Sequence, residues 1–148
     1  MNTLLFLFIN FIVAFISDIV LNDASTNYGF VPSLKPYYRN ESIIKLGVYA
    51  ALTIEFGLLV TMPLYYLIFG SLLPNNYKSF IYFCGLAFLI GYMLDIAINK
   101  LKIFGNKLDL YYKELGAGFW GASAFVFCIV ISYFIENNLY ILCNERIR

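Results

Sequence analysis

The chain has 148 residues, 61% of them hydrophobic and 13% charged, with a net charge of +1 and no histidine. A soluble domain is nearer half apolar and a quarter charged, so the composition excludes an ordinary soluble globule. The small net charge excludes the basic field of a nucleic-acid binder, and the missing histidine removes the commonest metal ligand and the commonest general base.

Three cysteines, Cys84, Cys128 and Cys143, show no C-x-x-C spacing, so neither a zinc site nor a redox pair is expected, and no cofactor. The apolar residues fall into four runs. Each is long enough to cross a hydrocarbon core of ~30 Å at about 1.5 Å per residue. The sequence predicts an all-α, polytopic membrane protein with four transmembrane helices, residues 1–148 forming a single membrane domain.

The first span is placed at residues 3–21. No lysine or arginine precedes it and no small-residue cleavage site follows, so it reads as a retained span rather than a secretory signal. Asn10, Ser17 and Asp18 fall at i, i+7 and i+8, a polar stripe that should face protein. Residues 23–42 read as an irregular loop because of Gly29, Pro32 and Pro36. Tyr37 and Tyr38, followed by Arg39, sit where an interfacial aromatic belt would lie. Asn40-Glu41-Ser42 matches a glycosylation acceptor pattern.

The second span is placed at residues 43–69, with Glu55 deep inside it and Pro63 expected to bend it. Gly47 and Ala51 form a small-xxx-small pair for close helix approach. A short turn at 71–78 makes the second and third spans antiparallel neighbours. In the third span, 80–98, Ala87, Gly91, Asp95 and Asn99 recur at steps of four and share one face. A second basic loop covers 100–113 and holds Tyr111, Tyr112 and Lys113. The fourth span, 115–135, opens on small residues. Ala117/Gly121 and Gly118/Ala122 are both small-xxx-small pairs, read as internal packing rather than a dimer face. The tail, 137–148, carries no assigned structure.

Two signatures recur. Asp18-Ile19-Val20-Leu21-Asn22 returns as Asp95-Ile96-Ala97-Ile98-Asn99, and Leu34-Lys35-Pro36-Tyr37-Tyr38-Arg39 returns as Leu108-Asp109-Leu110-Tyr111-Tyr112-Lys113. The chain reads as two tandem helical hairpins, 3–70 and 79–136, against the alternative of chance similarity in apolar sequence. Each hairpin has two spans, so the halves would share one membrane orientation, a parallel pseudo-repeat about the membrane normal. Lys35, Arg39, Lys45, Lys100, Lys102, Lys107 and Lys113 lie on the side of the two signature loops. Only Lys78, Arg146 and Arg148 lie on the other. The positive-inside rule therefore puts the signature loops in the cytoplasm.

Asp18, Glu55 and Asp95 are the carboxylates within the spans, with Asn22 and Asn99 nearby, and together they form a candidate intramembrane polar site. Each charge at a helix centre costs roughly 3 kcal/mol on insertion scales. One reading is a proton or cation site between the halves. The other is interhelical glue and helix-end capping, with Asn22, Asn99, tyrosine hydroxyls or interfacial lysines as partners. Paired intramembrane aspartates also suggest an aspartyl protease, but Gly91-Tyr92-Met93-Leu94-Asp95 lacks the motifs of those enzymes.

Asp95-Ile96-Ala97-Ile98-Asn99-Lys100, Phe104-Gly105, Tyr111-Tyr112-Lys113 and Gly116-Ala117-Gly118-Phe119-Trp120-Gly121 together resemble small uncharacterised four-span membrane proteins encoded by large nucleocytoplasmic DNA viruses. The resemblance implies a viral membrane protein of host endomembranes or of the virion's internal membrane, and carries over no catalytic residue. The expected function is that of a non-enzymatic integral membrane component, serving virion membrane assembly. Its expected partners are the lipid bilayer, itself and other membrane or virion proteins. A small proton- or cation-coupled transporter or channel subunit is the alternative.

Overall fold

A computed structural model describes residues 2–39, 42–103, 108–116 and 118–145, with side chains as far as Tyr140. Asn40, Glu41, Phe104, Gly105, Lys107, Ala117, Arg146, Arg148 and the Cys143 side chain, all used above, lie outside the described residues.

The described residues are all-helical. There are four long helices, α1 (Thr3–Asn27), α3 (Ile43–Phe69), α4 (Tyr77–Lys100) and α6 (Phe119–Glu145); a short helix lies between α1 and α3, α2 (Lys35–Arg39), and another between α4 and α6, α5 (Asp109–Leu115). The four long helices are each long and apolar enough to span a membrane. This is the polytopic architecture expected from the composition.

The outward faces show why the bundle belongs in lipid. Leu4, Phe8, Ile12, Ile16 and Val20 recur every fourth residue along α1, and all five are exposed. A soluble helix carries polar residues on such a face. The inward face of α1 holds Phe6, Ile9, Asn10, Val13 and Ala14. α1 packs on α3 and α6, and α4 packs on the same two helices, giving a four-helix square with α1 and α4 on opposite corners.

Several ends differ from the hydropathy boundaries. α1 continues through Asn27 because its last turns satisfy themselves. Thr26 Oγ1 donates to Asn22 Oδ1 (3.2 Å) and Asn27 Nδ2 to Asp23 Oδ1 (2.6 Å). Such i,i+4 pairs support a polar helix end that hydropathy alone misses. α4 starts early because Asn76 and Ser79 form a capping box: Ser79 N–H donates to Asn76 Oδ1 (2.9 Å) and Asn76 N–H to Ser79 Oγ (3.1 Å). α3 runs unbroken through Pro63 and ends on Gly70 in the left-handed region (φ +74°).

The signature loops are not irregular. A 3-10 turn, Pro32–Leu34, leads into α2, and α5 occupies the matching place in the second half. Leu115 ends α5 rather than opening the fourth span. Gly116 (φ +78°) and Gly118 (φ +100°) turn the chain before α6 begins at Phe119, in conformations that a side chain would strain. The expected unassigned tail continues α6 as far as Glu145.

The interior has three apolar clusters. The largest holds Phe6, Leu58, Met62, Tyr65, Phe83 and Phe125, toward the end where α3 turns into α4. A smaller one joins Ala14, Ala51 and Cys128. The third gathers Val31, Leu34, Tyr38, Leu46 and Tyr111 at the end that carries α2 and α5.

Candidate functional site

The two elbows, α2 with its 3-10 turn and α5, meet at one end of the bundle. Tyr38 and Tyr111 are buried there, with Tyr37, Tyr112 and Trp120 packed around them. Tyr37 and Tyr38 have ring centroids 5.3 Å apart, and Tyr111 and Tyr112 5.0 Å. The tyrosine signatures therefore converge on each other. Arg39 and Lys113 end up exposed at the rims of the elbows.

Each elbow is fastened to a membrane helix through a carboxylate. Tyr38 donates its hydroxyl to Asp18 Oδ1 on α1 (3.0 Å), and Tyr112 donates to Asp95 Oδ1 on α4 (3.1 Å). Burial pushes the Tyr38 hydroxyl far above the ordinary tyrosine range, and the neighbouring Asp18 charge adds to it. Burial and then the Asp95 charge do the same for Tyr111 and Tyr112. A phenol so shifted keeps its proton across physiological pH and remains a donor.

Asp95 does a second job. Its Oδ2 accepts from the Gly118 backbone N–H (2.7 Å), just ahead of α6. The first N–H groups of a helix lack partners and carry a partial positive charge, so a carboxylate suits that position. Gly121 makes room for it: a Cβ there would stand 2.7 Å from Asp95 Cγ. The small residues at the start of α6 are thus shaped by Asp95, and Ala122 is buried against α4 beside Gly91.

The other small residues serve internal contacts as well. Gly47 faces the Phe15 ring on α1, and Ala51 is buried between α1 and α6. Gly57 on α3 and Gly91 on α4 both border the Phe125 ring. Gly57, with Thr53 and Thr61 four residues to either side, was not singled out in the sequence.

Glu55 stands in a different setting. Asn10 Nδ2 donates to Glu55 Oε1 (2.9 Å), and Ser132 Oγ shares its single proton between the Cys128 carbonyl (2.7 Å) and Asn10 Oδ1 (3.1 Å). The fully buried Asn10 thereby joins α1, α3 and α6. Asn10 was visible in the sequence as part of a polar stripe. Ser132 sits in an apolar run and gave no signal.

The five residues grouped by the sequence into one polar site therefore do not form one cluster. Asp18 lies against the first elbow, Asn22 is buried on α1 and accepts from Thr26, Asp95 lies against the second elbow and α6, and Glu55 at the α1–α3 seam. Asn99 is half-buried near the end of α4, where its carbonyl accepts from Lys102 N–H (3.2 Å). Lys102 in turn pairs with Asp109 across the second elbow. Asp18 Oδ2 and Ser25 Oγ on α1 and Ser33 Oγ in the 3-10 turn are buried with no hydrogen-bond partner among the described residues. Among the described residues, no three His, Cys, Asp or Glu side chains converge as metal ligands. No protein-family model, curated protein or solved structure matches this chain.

Proposed function

We propose that the chain is a non-enzymatic, architectural membrane protein whose paired elbows form a contact surface on the cytoplasmic side. The observation that carries this reading is the Asn10–Glu55 hydrogen bond, with Ser132 Oγ also against Asn10, which ties the mid-span carboxylate of α3 to a residue at the junction of α1, α3 and α6. The elbows also present large exposed apolar side chains, among them Tyr28, Phe30, Leu101, Ile103 and Leu110. Exposed apolar side chains of this size are suited to a membrane or protein contact. The cytoplasmic placement is supported by the lysine and arginine asymmetry. Service in virion membrane assembly is supported by the sequence resemblance, and a second copy or another virion membrane protein would be the partner.

An internal duplication is part of the proposal. It is supported by the matched Tyr38–Asp18 and Tyr112–Asp95 bonds and by the crosswise packing of α1 on α6 and α3 on α4.

A proton- or cation-coupled transporter is the second reading, favoured by the unpartnered polar atoms of Asp18, Ser25 and Ser33. Glu55→Gln separates the two. The amide keeps an acceptor for Asn10, so the variant should fold as the wild type does. Under the architectural reading, neither protein carries a proton or cation flux in proteoliposomes. A wild-type flux that Glu55→Gln abolishes would overturn it.

A further inference from the structure

The two elbow carboxylates are satisfied to different degrees. Asp95 uses both oxygens, Oδ1 for the Tyr112 hydroxyl and Oδ2 for the Gly118 N–H. Asp18 uses only Oδ1, for Tyr38, and its Oδ2 is buried without a partner among the described residues. Ser25 and Ser33 are fully buried, and neither hydroxyl has a partner there.

These oxygens lie along one seam. Asp18, Asn22 and Ser25 fall at i, i+4 and i+7 and share a face of α1. The returning chain covers that face, since Tyr38 on α2 reaches Asp18 and Phe30 N–H ties the turn to the Ala24 carbonyl (3.1 Å). Ser33 comes five residues before Tyr38, as Ser25 comes seven after Asp18, so the antiparallel return brings Ser33 level with Ser25. The two hydroxyls do not bond to each other. Nor does Ser25 turn back onto its own helix. Thr53, Thr61, Ser123 and Ser132 each donate to the carbonyl four residues earlier, but Ser25 does not, so its hydroxyl is left for the seam. Asn22, buried between Asp18 and Ser25, accepts from Thr26 Oγ1 and keeps a second lone pair on its oxygen.

A carboxylate oxygen, an amide oxygen and two hydroxyls need a partner that can both donate and accept. Buried polar groups are nearly always paired, and ordered water, which makes about three hydrogen bonds, is the usual partner where the chain supplies none. Asp18 and Ser25 stand about 10 Å apart along α1 at ~1.5 Å per residue. That is too far for one metal ion to touch both, but it suits about three waters in file at ~2.8 Å spacing. Beyond Asp18 the buried face of α1 turns to Ala14 and Val13, so the file ends at the carboxylate and does not cross the bundle.

We infer that the seam between α1 and the first elbow is a binding site for a short file of ordered water, held by Ser25 and Ser33 at one end and by Asp18 at the other. Water gives Asp18 Oδ2 the donor that Asp95 Oδ2 receives from a backbone N–H.

Radiolytic hydroxyl-radical footprinting of the detergent-purified protein tests this, because trapped water oxidises the buried side chains beside it. Tyr38, bonded to Asp18, and Tyr65, in the largest apolar cluster, are both buried, whereas Tyr28 is exposed. Tyr38 should oxidise at a rate near that of Tyr28, and oxidation as slow as that of Tyr65 would overturn the inference. Ser25→Ala and Ser33→Ala each strip a partner from the same held water. Each should lower the folding equilibrium constant about fivefold in a denaturing-detergent titration, and the two together by less than about 25-fold. In a dry seam each alanine would instead remove a stranded hydroxyl and raise the constant, and that result would overturn the inference too. A gain in stability when sodium or potassium replaces a bulky organic cation, present in the wild type and absent in Asp18→Asn, would assign the seam to a metal ion and count against water. The footprint is read on the wild-type protein, so the decision stands even where a variant fails to fold.

Discussion

Gly121→Ala tests whether Asp95 shapes the α4–α6 contact. The new Cβ would lie 2.7 Å from Asp95 Cγ, 2.9 Å from its Cβ and 2.9 Å from Oδ1. An ordinary carbon contact is about 3.5–4.0 Å, so the carboxylate must retreat by about 1 Å. That stretches the 2.7 Å bond from Gly118 N–H and the 3.1 Å bond from Tyr112 beyond useful geometry. Interhelical hydrogen bonds in membranes average ~0.6 kcal/mol and reach ~1.7. Overpacking adds ~1–3 kcal/mol, while alanine recovers ~1 kcal/mol of helix propensity. The net cost should be about 2–3 kcal/mol. In an Asp95→Ala background, two of the three crowding atoms and both bonds are already absent, and Gly121→Ala should cost less than ~1 kcal/mol. The assay is a denaturing-detergent titration in mixed micelles, followed by the fluorescence of Trp120, the single tryptophan. A coupling energy below ~0.5 kcal/mol across the double-mutant cycle would refute the reasoning. Gly47→Ala is the comparison. There the near atoms belong to the Phe15 ring at 2.9 Å, the far end of a side chain that can swing aside, so the loss should be smaller.

The buried tyrosines set an alkaline limit on the elbows. Their ionisation is pushed above the ordinary value of 10.0, so their contribution is complete below that pH and is lost as pH rises through the shifted values. Difference absorbance should show a tyrosine fraction that ionises only with elbow unfolding, and its titration together with the exposed tyrosines would count against the clamp. Asn76→Ala removes the capping-box acceptor of α4 and should cost ~1 kcal/mol in the same micelle titration. Cysteine accessibility in sealed vesicles should find positions 39 and 113 cytoplasmic and position 76 on the opposite side; labelling of position 76 from the cytoplasm would invert the orientation.

Spans were legible because lipid imposes a simple demand, and Ile43–Phe69 was bounded correctly at both ends. The other boundaries were set by groups that hydropathy does not weigh. Asn22, Asp23, Thr26 and Asn27 extend α1 by bonding to one another, and Ser79 and Asn76 start α4 through reciprocal caps. The elbows looked like loops because their prolines and glycines mark turns without saying what lies between them. The intramembrane carboxylates stood out by their cost in lipid, but their partners did not. Glu55 meets Asn10 across 45 positions and Asn10 meets Ser132 across 122, separations that only the folded bundle closes. Gly121 was recognised as small, but the atom it makes room for lies on another helix.

The same long-range bonds have a consequence for biogenesis. α1, carrying Asn10 in its first half, leaves the ribosome before α3, α4 and α6. The Glu55 acceptor arrives with α3, and the Ser132 donor arrives only with α6. Asp95 likewise enters with α4 and waits for Gly118 N–H, which is made later. A nascent chain halted before α6 leaves the Asn10 oxygen and the Asp95 Oδ2 bare within the bilayer, where an unsatisfied polar group costs several kcal/mol. α6 completes polar contacts opened by the first and third spans, so their settling in the bilayer waits on the synthesis of α6.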